Sequence, residues 1–97
     1  MKRLEAEHMG HVADLGCILC RHLGLGKSPA HVHHLKEGVG LSQRASNWLT
    51  VPLCPEHHTG ASGLHGLGTK GFRTRYKLDE LDLLAMTLEA LAGRVWE

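Results

Sequence analysis

Nine histidines and three cysteines in 97 residues are the groups best able to do chemistry here, and their spacing sorts them. "CILC" (17–20) and "CPEH" (54–57) each hold two soft ligands two residues apart, with 33 residues between the pairs. Thiolates of Cys17, Cys20 and Cys54 with the imidazole of His57 can close a tetrahedral Cys3His zinc site from two chain segments. An odd cysteine count without a secretory signal speaks against a disulfide framework. The alternative is a Cys-x-x-Cys redox pair with Cys54 as a small buried hydrophobe, which leaves the matching second pair unexplained.

Once zinc takes His57, five histidines remain near the same segments: His31, His33, His34, His58 and His65. One metal site cannot use them all. Side chains alternate along a strand, so His31 and His33 share one face and His34 points to the other. Adjacent histidines at a strand end can then do two jobs, one as metal ligand and one as base, because imidazole changes charge near neutral pH.

The elements that must position these groups follow from local pattern. Leu4, Val12 and Leu15 predict a helix over 3–15, ending at Gly16. Gly24 and Gly26 predict a turn, "SPAHVHHL" (28–35) a strand entered through Pro29, residues 36–46 a loop, and "NWLTVPL" (47–53) a second strand leading into "CPEH". Five glycines in the fifteen residues 57–71 exclude a long uninterrupted helix there. "TKGFRTRYK" predicts a short helical turn with Phe72 and Tyr76 inward and Lys70, Arg73, Arg75 and Lys77 outward. Asp79 predicts the cap of a helix over about 80–92, with Leu78 and Leu83 as a staple and Gly93 as its end. Leu81, Leu84, Ala85, Leu88, Leu91 and Ala92 would be its inward face.

Length predicts one domain, 1–97. No run of 18 apolar residues and no export signal occurs, so the expectation is a cytoplasmic protein with no membrane span. The net charge of +1 selects no partner by itself.

In the order Cys-x-x-Cys, a His-His pair, an Asn-containing segment, and Cys-x-x-His-His with a further His, residues 17 to about 65 resemble the HNH endonucleases. "VPLCPEHH", a following "LH" and "TKGF" further resemble the small phage and prophage branch that includes recombination-enhancement, RecA-dependent nucleases. The resemblance implies an α+β fold, a small ββα-metal core with a zinc knuckle pair, flanked by an N-terminal and a C-terminal helix. It implies a metal ligand at His33, the general base at His34, a bracing residue at Asn47, and further ligands of the catalytic ion at His58 and His65. Relatives often hold these last two histidines four apart on one helix. Here they are seven apart, so His65 must arrive from a loop or a second turn.

The implied activity is divalent-metal-dependent hydrolysis of DNA phosphodiesters, nicking or cutting with little sequence specificity. Its cofactors would be a structural zinc and a catalytic Mn, Mg, Ni or Co ion. Imidazole ligands suit Mn, Ni, Co or Zn better than Mg, and Mn is the favoured ion. DNA and a RecA filament are the implied partners, and Lys36, Arg44, Lys70 and Arg73 the candidate phosphate contacts. A zinc-stabilised module that binds nucleic acid or protein without cutting is the alternative. It would have no use for the surplus histidines or for Asn47.

Overall fold

A computed structural model describes residues 2–36 and 46–96. Arg44, and most of the 36–46 segment expected to be a loop, lie outside the described residues. The order of elements is α1 (Arg3–Asp14), α2 (Ile18–His22), β1 (His31–His34), β2 (Thr50–Leu53), α3 (Pro55–His58), α4 (Leu64–Tyr76) and α5 (Glu80–Trp96). This is a small α+β arrangement. Among the described residues no helix is long and apolar enough to cross a membrane.

The two strands pair antiparallel with His31 opposite Leu53, Val32 opposite Pro52, His33 opposite Val51 and His34 opposite Thr50. Pro52 cannot donate to the ladder, which a two-stranded sheet tolerates because both strands are edges. All four residues of β2 are buried, since α1, α2 and α5 pack against it and α3 closes on both strands. Phe72, Leu19, Leu53, Leu83, Val12 and Val51 are the large, fully enclosed apolar side chains.

Both strands are shorter than the pattern predicts. Ser28 lies outside β1 because its carbonyl accepts from Cys17 N–H at 3.0 Å, tying it to the first knuckle instead of the sheet. Residues 46–49 precede β2 as a turn. Leu49 N–H donates to the Ser46 carbonyl (2.9 Å) and Trp48 N–H to Ser46 Oγ (3.1 Å), so these donors are unavailable to a ladder.

The glycine-rich stretch is helical from Leu64, with one break at Gly68 (φ 74°, ψ 168°), a conformation open to glycine at little cost. The expected turn around Phe72 is the second half of this longer helix. Phe72 is buried, and Tyr76 packs on the same cluster.

At α5, Asp79 caps as expected. Asp82 N–H donates to Asp79 Oδ1 (3.0 Å) and Asp79 N–H to Asp82 Oδ2 (2.9 Å), a reciprocal box. Two expectations fail. The helix runs through Gly93 to Trp96, because glycine inside a helix costs only about 1 kcal/mol and does not oblige a stop. Its buried side is also rotated from the apolar stripe. Glu80, Leu83, Leu84 and Thr87 face inward, whereas Leu81 and Leu88 are 57% and 47% exposed. Two polar side chains can point inward because each has partners. Thr87 Oγ1–H donates to the Leu83 carbonyl (2.8 Å), and Glu80 is taken up at the site described next.

Candidate metal centres and nuclease site

The first cluster joins the N-terminal knuckle to the start of α3. Cys17 caps α2 and its sulfur accepts from Cys20 N–H at 3.4 Å, while β2 delivers Cys54 and one turn of α3 delivers His57. All four side chains are buried. His57 Nδ1 lies 3.6 Å from Cys17 Sγ, 3.4 Å from Cys20 Sγ and 3.4 Å from Cys54 Sγ, and the Cys20 and Cys54 sulfurs are 3.8 Å apart. A tetrahedron with Zn–S near 2.3 Å and Zn–N near 2.05 Å has edges of about 3.8 Å (S···S) and about 3.6 Å (S···N). The donor set therefore fits zinc in size, number and chemistry.

Electrostatics agree with that fit. Burial pushes the Cys17 thiol up to about 12, a cost that a coordinated cation removes by holding the thiolate. Cys54 is lowered although burial opposes it, because the His57 backbone N–H, the two other thiols and the Glu56 backbone N–H all stabilise its anion. Burial, aided by Arg75, keeps His57 below the usual imidazole range, as a neutral ligand must be.

The second cluster adjoins the first through His58, the residue after His57, and draws its other two members from β1 and α4. His33 on β1 directs Nδ1 to within 3.2 Å of His58 Nε2, and His58 Nε2 is 3.2 Å from His65 Nε2. Two metal-bound imidazoles are about 2.9 Å apart at a right angle and about 3.3 Å apart at the tetrahedral angle, so this spacing also suits a shared cation. His33 Nε2–H donates to Glu80 Oε2 at 2.5 Å, which fixes its proton on Nε2 and leaves the Nδ1 lone pair facing the other two rings. Burial, then the positive potential of His33, His65, His31 and Lys36, lowers His58 to about 4. Burial, with Lys36 and His33, lowers His65 as well, against the pull of Glu80. His31 stands at the edge of the cluster, its ring centroid 5.8 Å from that of His58.

His65 reaches this cluster from the first turn of α4, after the chain doubles back through a glycine-lined turn. A Cβ on Gly63 would lie 2.4 Å from the Glu56 carbonyl oxygen, and one on Gly66 2.1 Å from that of Gly60. Only bare backbone permits the approach. Glu56 braces the turn by accepting from Ser62 N–H (2.9 Å) and Oγ–H (2.6 Å), and Tyr76 OH donates to the Ser62 carbonyl (2.6 Å).

His34, the next residue along β1, is exposed, and its Nε2–H donates to Asn47 Oδ1 at 2.8 Å. Nδ1 is thereby left as the basic nitrogen. Asn47 is itself held, since Thr50 Oγ1–H donates to its carbonyl. Among the candidate phosphate contacts, Lys36 and Lys70 are exposed. Lys36 is near enough for its charge to act on His58 and His65. Arg73 approaches Asp79 at 3.9 Å. Glu80 was missed by the sequence reading. Its only local signal is a carboxylate in the first turn of a helix, which ordinarily serves the dipole.

The model of the recombination-enhancement, RecA-dependent nuclease family matches residues 4–92. The chain belongs to this family. Curated proteins and solved structures give no match. The recombination-enhancement nuclease match spans all seven elements except the first residue of α1 and the end of α5, so both clusters and most of the C-terminal helix fall within it. Membership makes the chain a nuclease, a hydrolytic enzyme with DNA as the implied substrate.

Proposed function

We propose that the chain is a DNA endonuclease of the HNH type, dependent on a divalent metal ion, with β1, β2 and α3 as its ββα-metal core and residues 1–97 as its single domain. The observation that carries this reading is the divergence of two neighbouring residues on β1. His33 turns toward His58 and His65, while His34 is braced by Asn47 through Nε2, which leaves its Nδ1 free.

His34 Nδ1 takes the proton of the attacking water. Neutral imidazole is the right base at neutral pH, and the bond to Asn47 holds the tautomer that leaves this nitrogen free. Three imidazoles suit Mn, Ni or Co better than Mg, and His33, His58 and His65 would hold the catalytic divalent ion. When bound, it supplies positive charge for a phosphate oxygen and for the leaving 3′ oxygen. Lys36, with Arg44, Lys70 and Arg73, contacts the DNA backbone, which favours low sequence specificity because phosphate contacts carry no base information. Cys17, Cys20, Cys54 and His57 keep a structural zinc that holds α2 to the base of α3. The products are a 5′ phosphate and a 3′ hydroxyl. The RecA dependence in the family's name supports action together with a RecA filament.

The test is cleavage of supercoiled plasmid with Mg, Mn or no added metal, with and without a RecA filament, by the wild type and His34→Ala. Cleavage should need the ion and fall by roughly 10²- to 10⁴-fold in His34→Ala, the range for a positioned proton acceptor. His33→Ala should be partly rescued by excess Mn and His34→Ala should not. Wild-type cleavage by His34→Ala would overturn the assignment of the base, and no cleavage by the wild type under any of these conditions would favour a binding module stabilised by zinc.

A further inference from the structure

Among the described residues Glu80 is the one buried carboxylate, 2% exposed. Capping does not require it, because Asp79 and Asp82 already exchange the bonds that close the start of α5. A carboxylate removed from water is tolerated only when its oxygens are hydrogen-bonded or paired. Both oxygens are engaged, one by the histidine strand and one by the backbone just past its end. Oε2 accepts from His33 Nε2–H at 2.5 Å and Oε1 accepts from Lys36 backbone N–H at 2.9 Å, across 47 and 44 positions of sequence. One side chain from α5 thus fixes a ring at the end of β1 and the backbone three residues beyond it.

We infer that Glu80 is a positioning residue of the histidine metal centre: it holds His33 as the Nε2–H tautomer with Nδ1 aimed at the ion shared with His58 and His65. This rests on the metal-binding reading proposed above. Histidine ligands commonly donate their second N–H to a carboxylate, which orients the ring and raises its basicity, and loss of that partner typically costs 10- to 100-fold in metal affinity. The inference extends the centre beyond the 17–65 motif segment. The C-terminal helix supplies the group that makes His33 a good ligand, and the inward rotation of its polar first turn is the structural consequence.

The experiment uses the full-length, zinc-loaded protein. Mn binding is measured by titration calorimetry for the wild type, Glu80→Ala, Glu80→Gln, His33→Ala and the His33→Ala/Glu80→Ala double variant. Ring tautomers are read by long-range 1H–15N correlation without added Mn. Glu80→Ala should bind Mn about 10- to 100-fold more weakly. Glu80→Gln, which keeps the shape and one acceptor oxygen and guards against loss of fold, should lose less. The double variant should bind no more weakly than His33→Ala, because Glu80 acts through His33. The His33 signal should report the Nε2–H form in the wild type and lose that preference in Glu80→Ala. Wild-type Mn affinity in both Glu80 variants, or a His33 Nδ1–H tautomer in the wild type, overturns the positioning role while leaving the metal reading intact. A wild type that keeps its zinc but takes up no Mn, Mg, Ni or Co removes the metal reading and this role together.

Discussion

Substituting Gly66 by alanine isolates what the glycine turn does for the histidine cluster. The added Cβ would sit 2.1 Å from the Gly60 carbonyl oxygen and 2.9 Å from its carbon, whereas ordinary contact begins near 3.4 Å. About 1.3 Å must therefore open between the start of α4 and the turn, and neither side can yield by rotating a side chain because both atoms of the clash are backbone-fixed. Overpacking of this kind costs about 1–3 kcal/mol. In a domain of this size that lowers the melting temperature by roughly 5–20 °C. The same opening carries His65, the preceding residue, away from His58 Nε2, now 3.2 Å from it. Misplacement by about an ångström can cost on the order of 100-fold in rate. Thermal melting of the zinc-loaded protein, Mn titration and plasmid cleavage read the three effects. Gly10→Ala is the control: it lies within α1, its Cβ would meet nothing within 4 Å, and it should stabilise by about 0.5–1 kcal/mol. A Gly66→Ala protein that melts within about 2 °C of the wild type and binds Mn equally well would refute the close-approach argument.

Three further outcomes are expected. Purified protein should carry one tightly held zinc, and its removal by a chelator should unfold much of the chain, since a closed Cys3His site couples binding to folding; a folded, metal-free chain by circular dichroism and elemental analysis would contradict this. Asn47→Ala should slow cleavage by about three- to tenfold, the worth of one hydrogen bond, with zinc and Mn binding unchanged, and an unaltered rate would mean that His34 needs no brace. In zinc-loaded protein without added Mn, His58 should stay neutral down to about pH 4, mainly through burial. The unfolded chain takes up that proton near pH 6.5, so this group's contribution to stability is present above pH 6.5 and is lost as pH falls toward 4. An NMR midpoint near 6.5 for His58 would contradict the burial.

What could be read directly from the chain was whatever neighbouring residues decide among themselves. The two-residue gaps of Cys17–Cys20 and Cys54–His57 preset each half of a tetrahedral site, the alternation along β1 separates His33 from His34, and Asp79 announces a helix start through atoms three residues away. Tertiary structure decided the rest. His65 joins His58 only because Gly63 and Gly66 let α4 close on the turn, a matter of backbone clearance that composition signals but does not locate. The inward side of α5 departs from its apolar stripe because Glu80 finds donors 44 and 47 residues away and Thr87 satisfies itself on Leu83. Periodicity assumes that polar groups prefer water. That assumption fails where folding supplies the hydrogen bonds that water would have made, and here it fails at the residue that orients a candidate metal ligand.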